Sequence, residues 1–213
     1  MTDTMKVASK RFNILTVCTG NVCRSPLAEY LLRKGLQQWN VVDVASAGTG
    51  ALLDHSMTAQ TIAIAHAHGA ASPEGHRARL LEVEHLRAAD LVIALTRAHR
   101  SEIVATLPRG SRHTFTLREL ARLLSVVQAS DFEVIAKLPL SDTVGRFAKL
   151  VEMAASLRGY ALPPEHELDD DVIDPYRRSD AVYQQSAAQL VPAVDTIVGR
   201  FELAATIAAA ESA

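Results

Sequence analysis

The sequence predicts an α/β fold of three layers, a four-stranded parallel sheet with helices on both faces. Three observations carry that expectation. Four short apolar runs are each followed by a stretch with helical periodicity. Strands that alternate with helices pack as a parallel sheet covered on both sides. Alanine is abundant while aromatic residues make up only 5% of the chain, so helix should exceed sheet.

The first strand is expected at Phe12 to Val17, an apolar run after a polar N-terminal stretch. A loop with Gly20 and Asn21 follows. Ser25-Pro26 then opens a helix, with Leu27, Tyr30 and Leu31 on one face and Gly35 near its stop. Val41 to Ala45 is the second strand, ended by the turn-like Ser46-Ala47-Gly48-Thr49-Gly50. Helical sequence runs from about Met57 to His68, closed by Gly69. Leu91 to Leu95 is the third strand and Arg97 to Leu107 the next helix. His113 to Thr116 is a weaker fourth strand, followed by a helix over Arg118 to Leu124.

The alternation then stops. From about Ser125 to Glu167 there is no strand signal, only a helix near Val144 to Leu157. The run Glu165 to Asp171 carries five carboxylates and reads as a solvated loop. After Asp174-Pro175-Tyr176 comes a last helix, with Ala187, Leu190, Val194, Ile197 and Phe201 at helical spacing and Pro192 expected to kink or split it.

Composition narrows the function. A formal net charge of -2 argues against a broad nucleic-acid footprint, and no apolar run approaches a membrane span. Residues 1–10 read as a disordered tail without the apolar core of a secretory signal. Two cysteines, Cys18 and Cys23, are no disulfide framework, so a cytoplasmic setting with reduced thiols is expected.

The chemistry sits in Cys18-Thr19-Gly20-Asn21-Val22-Cys23-Arg24-Ser25-Pro26, between the first strand and the first helix. Open α/β sheets bind ligands at this end of their strands. A loop here turns successive amides inward as an anion nest, and the helix N-terminus adds its positive end. Gly20 and Asn21 tolerate the left-handed backbone that such a nest requires. A cysteine in that field favours the thiolate, which is the nucleophile. Arg24, six positions on, can aim a planar fork at the same anion, and the Ser25 hydroxyl can hydrogen-bond the sulfur. A zinc reading of Cys18 and Cys23 would need His66, His68 or His76 and would set Arg24 beside the metal, which is unfavourable.

This string resembles the signature of the low-molecular-weight protein tyrosine phosphatase family. Ser46-Ala47-Gly48-Thr49, His76-Arg77-Ala78-Arg79, Ala89-Asp90-Leu91-Val92 and Asp174-Pro175-Tyr176 are similar to further family segments. The resemblance covers roughly Phe12 to Leu120 and Asp171 to Phe201. It implies hydrolysis of phosphotyrosine in proteins through a phosphocysteine, with no cofactor and no metal. Cys18 is then the nucleophile, Arg24 the phosphate clamp and Asp174 the general acid, with Asp169 to Asp171 the alternative source of the acid. Thr19, Gly20, Asn21, Val22, Cys23, Ser25 and Tyr176 would contact substrate, and His76 would support the loop by hydrogen bonding. Cys23 resembles the neighbour that pairs reversibly with the nucleophile under oxidation.

Residues 11–213 read as one phosphatase domain, with a helical insertion at about 125–167 that has no family counterpart. A lid, a docking surface and an inert extension are all open for it. Family members carry an aromatic wall where this chain has Ala51-Leu52-Leu53, and Arg177 and Arg178 after Tyr176 would favour acidic substrate flanks. The expected partner is a tyrosine-phosphorylated protein, by family analogy a bacterial tyrosine kinase controlling polysaccharide export. Rivals are arsenate reduction with an external thiol and a non-catalytic phosphate-binding regulator. The regulator would be expected to lack the nucleophile, the arginine or the acid.

Overall fold

The computed structural model describes residues 10–209. Apart from Lys10, the expected N-terminal tail lies outside these residues. The sheet has four strands, β1 (Phe12–Cys18), β2 (Val42–Gly48), β3 (Leu91–Ala94) and β4 (Thr114–Thr116), in the order β2-β1-β3-β4. All three pairings are parallel.

Side-chain alternation along β1 divides the core. Phe12, Ile14 and Cys18 face one side, and Leu15 and Val17 the other. The first side is covered by α1 (Arg24–Leu36), α5 (Leu117–Ser125), α7 (Thr143–Ser156) and α8 (Asp180–Thr206). The second is covered by α3 (Val83–Ala88) through Leu86 and α4 (Arg97–Thr106) through Ile103. The remaining helices are α2 (Ala59–Ala67), which packs beside α1 and α8, and the single turn α6 (Glu133–Ala136). The crossovers leave β1 in opposite directions, so the ends of β1 and β3 frame the crevice where such sheets bind ligands.

Several elements depart from the sequence expectation. β2 continues to Gly48, because Ser46, Ala47 and Gly48 pair in register with Thr16, Val17 and Cys18. A Cβ on Gly48 would lie 2.3 Å from the Thr19 carbonyl oxygen, so only glycine lets the loop after β1 pass so closely. Helix α1 starts at Arg24, and Pro26 still falls in the first turn, where its missing amide costs nothing. Gly35 lies near the stop of α1 as expected, one residue before its end, and there it also serves packing: a Cβ would come within 2.5 Å of Val198 on α8. Pro192 does not split α8, which runs unbroken for 27 residues.

The stretch read as an insertion joins the core. Phe147 of α7 is fully buried, edge-on to Phe12 at 5.6 Å between ring centroids and to Trp39 at 5.8 Å, with Phe201 at 4.9 Å. The guanidinium of Arg146, also fully buried, donates to the carbonyls of Leu138, Ala204 and Ile207, and so satisfies orphan carbonyls at the end of α8.

The acidic run is only partly solvated. Asp170 is buried and paired with Arg122 at 3.2 Å, and Asp171 accepts from the Arg97 amide at the start of α4 at 2.7 Å. Among the described residues no helix is long and apolar enough to cross a membrane.

Candidate active site

The loop from Cys18 to Arg24 is shaped from outside. Its carbonyls accept in turn from Thr49 N (Cys18), Gly50 N (Thr19), Leu52 N (Gly20), the His76 ring (Asn21), Thr58 N (Val22) and Leu27 N (Cys23), at 2.7 to 3.1 Å. With the carbonyls held outward, the amides of Gly20 to Arg24 find no protein acceptor among the described residues. They are available to an anion at the positive end of α1.

Asn21 makes the turn. It alone in the loop has a left-handed backbone, φ 54°, and is fully buried. Its side-chain amide donates to Ser25 Oγ at 2.9 Å and Ser46 Oγ at 2.8 Å, and its Oδ1 accepts from Arg79 N at 2.9 Å. His76 Nε2 donates to the Asn21 carbonyl at 2.7 Å. Burial above all pushes the His76 pKa down, against the hydrogen bond to the Asn21 carbonyl, which raises it. Ser25 Oγ accepts from Asn21 and has two partners for its own hydrogen, Cys18 Sγ at 3.0 Å and the Ala47 carbonyl at 3.4 Å.

Arg24 is buried beside this loop. Its guanidinium donates to the Val172 carbonyl at 3.2 Å and pairs with Asp174 at 2.8 Å, while Nε is buried without a protein partner. A buried, unpartnered cationic donor is costly unless an anion meets it. The segment that brings Asp174 is fixed on both sides, with Val172 N bound to the Leu95 carbonyl at 2.9 Å and Ile173 N to Gln189 Oε1 at 2.8 Å. Asp174 Oδ1 accepts from Tyr176 N at 3.2 Å, an Asx turn that begins the loop.

These groups line one pocket of about 150 Å3. Of the residues singled out from sequence, Cys18, Thr19, Gly20, Val22, Cys23, Arg24, Asp174 and Tyr176 line it. Asn21, Ser25 and His76 lie beneath, holding the loop. Asp169 to Asp171 do not reach it: they bind the His166 amide, Arg122 and the Arg97 amide. Cys18 and Cys23 are both free thiols, and burial pushes the Cys23 pKa up. Of the histidines weighed as metal ligands, His66 pairs with Glu74 and His76 binds the Asn21 carbonyl, and no group of three His, Cys, Asp or Glu side chains suited to a metal occurs among the described residues.

Sequence reading missed three participants. Gly50 and Leu52 line the pocket. His99 binds Thr19 Oγ1 through Nε2 at 2.8 Å. The available signal was Thr96, an N-cap residue at the end of β3 with a histidine three positions later. A larger cavity, about 560 Å3, lies between α7 and the segment before β4. Two of the three arginines on its wall are already engaged, Arg158 with Glu119 and Arg100 with the Thr114 carbonyl.

A parallel sheet that delivers a cysteine, an arginine and a carboxylate to one amide-lined bowl defines a cysteine-dependent phosphatase. Comparison with known proteins narrows this. The family model for low molecular weight phosphotyrosine protein phosphatase matches residues 13–135, and the chain belongs to that family. It is 44% identical over 112 residues to the low molecular weight protein-tyrosine-phosphatase Etp of Escherichia coli K12, which covers 51% of this chain and 73% of that one. It is 36% identical over 108 residues to a protein-arginine-phosphatase of Geobacillus stearothermophilus, 51% of this chain and 70% of the other. Among solved structures, the YwlE arginine phosphatase of the same organism superposes with a TM-score of 0.61 at 25% identity, over 90% of this chain and 93% of that one. Arsenate reduction is not favoured by these relatives.

Proposed function

We propose that the chain hydrolyses phosphotyrosine monoesters in proteins through a phosphocysteine intermediate on Cys18. One observation carries this reading: Cys18 Sγ, the Arg24 guanidinium and the Asp174 carboxylate line the same small bowl. The sulfur attacks phosphorus as the bond to the phenol oxygen breaks, and Asp174 gives its proton to that oxygen. Amides from Gly20 to Arg24 and the guanidinium fork hold the non-bridging oxygens as charge shifts. Water then attacks phosphorus, Asp174 takes its proton, and Ser25 steadies the departing sulfur. Leu52 and Tyr176 form the walls for an aromatic ring.

Residues 11–213 act as one phosphatase domain in this proposal. Its partner is a tyrosine-phosphorylated protein such as a bacterial tyrosine kinase, and its setting is a cytoplasm that keeps both thiols reduced. Relatives named for tyrosine and for arginine make phosphoarginine the second candidate. Steady-state kinetics on matched phosphotyrosine and phosphoarginine peptides decide between them. We expect turnover of the tyrosine ester, abolished by Cys18→Ser; preferred turnover of phosphoarginine would replace tyrosine with arginine in the proposal.

A further inference from the structure

His99 is buried at the N-terminus of α4, and both of its ring nitrogens are engaged. Nδ1 lies 2.8 Å from Thr96 Oγ1, and Nε2 lies 2.8 Å from Thr19 Oγ1. Thr96 Oγ1 also accepts the His99 backbone amide at 3.2 Å, as helix cap. The Thr96 hydroxyl keeps one hydrogen beside that accepting site, and giving it to Nδ1 leaves the ring proton on Nε2, the tautomer on which the proposal rests. His99 then donates to Thr19 Oγ1. A neutral ring agrees with its surroundings, since burial first and the Arg24 charge second hold its pKa down to about 4.

Direction follows from this relay. Thr19 Oγ1 accepts from His99, so its own hydrogen has to be given elsewhere. No other protein partner for that hydroxyl occurs among the described residues, and Thr19 lines the bowl immediately after the nucleophile. We infer that His99 is a positioning residue that turns the Thr19 hydroxyl hydrogen into the bowl, so that Thr19 donates a side-chain hydrogen bond to the bound phosphoryl group. The inference rests on the phosphate-binding reading of the bowl and adds to it a donor that is not a backbone amide.

The test is a double-mutant cycle read by inorganic phosphate binding in calorimetry, with thermal melts to confirm folding. Thr19→Val should weaken phosphate about tenfold, as expected for a lost hydrogen bond to a charged group. Thr19→Ser should restore it. His99→Asn should cost a similar factor, and the Thr19→Val/His99→Asn double variant no more than either single one, because the hydroxyl is aimed only when His99 is present. A Thr19→Val effect of the same size in both backgrounds, or none in the wild type, overturns the inference. Imidazole 15N spectra of the wild type provide a second reading independent of variant folding: a proton on Nδ1 overturns it, and one on Nε2 supports it. A wild type that binds no phosphate would instead remove the phosphatase reading itself.

Discussion

The Arg24 guanidinium and the Asp174 carboxylate lie 2.8 Å apart, yet their surroundings differ: the arginine side chain is 5% exposed and the aspartate 52%. Half-solvated ion pairs contribute little to stability, so the pair is better understood as alignment. It holds the carboxyl group at the wall of the bowl, the position from which the proposed mechanism has it protonate the leaving oxygen. Asp174→Asn keeps the shape and removes the proton. Turnover of poor leaving groups should fall about 10²- to 10⁴-fold, and that of para-nitrophenyl phosphate much less. Equal slowing across a leaving-group series would take the acid role from Asp174.

Arg24→Lys keeps the charge but loses the fork that now reaches Val172 O and Asp174 together. A drop of roughly 10- to 100-fold in kcat/KM is expected, the size of a lost charge-assisted hydrogen bond. Activity close to wild type would show that the loop amides alone hold the phosphoryl oxygens.

Stability should fall on mild acidification. His99 is held down to about 4 in the folded chain, by burial first and the Arg24 charge second, with Asp174 pulling the other way. The unfolded chain takes up that proton near 6.5, so it binds more protons than the folded one between these two values. The stabilisation is complete above about pH 6.5 and is lost progressively toward pH 4, by at most about 3 kcal/mol. His76 acts in the same direction through its own burial. Urea unfolding at several pH values should show a shallower acid slope for His99→Asn than for the wild type; an unchanged slope would reject this account.

Arg177 occupies a left-handed backbone, φ 57°, and its guanidinium lies 5.1 Å from the centre of the Tyr176 ring at the pocket rim. Glycine fits that backbone without strain. Arg177→Gly should leave stability within about 1 kcal/mol of wild type. It should also cut the preference for phosphopeptides with glutamate flanks over neutral ones several-fold at low salt, and less at high salt. A preference ratio untouched by the substitution would detach Arg177 from substrate recognition.

Phe147→Ala would empty the centre of the ring cluster around Phe12, Trp39 and Phe201. A loss of about 3–5 kcal/mol in denaturant unfolding is expected. A cost below about 1 kcal/mol would mean that α7 is loosely attached despite its buried contacts.

Much of this was legible in the sequence, for reasons that vary by residue. The runs around Ile14 and Ile93 read as strands because a sheet covered on both faces needs unbroken apolar sequence. The loop was legible because Cys18, Asn21 and Arg24 each answer a separate demand of anion binding. Asp174 emerged only through its Pro-Tyr neighbours, since an Asp-Pro step alone is ordinary turn chemistry. The end of β2 was missed because Ser46-Ala47-Gly48 has the composition of a turn, and the register against β1 overrides it. The role of Gly35 depends on Val198, and that of Thr19 on His99 80 residues away, so no local pattern discloses either. The acidic run looked solvated because its partners, Arg122 and the amide of Arg97, belong to other helices.

Strand β1 has the ring cluster at Phe12 and the proposed nucleophile at Cys18, its two ends six residues apart. Trimming the stretch that contains α7, in the hope of a smaller enzyme, would strip the footing from that strand and free the tail of α8 from Arg146. A protein engineer seeking a minimal catalyst should cut elsewhere, because here the extra sequence serves as the foundation on which the reactive sulfur stands.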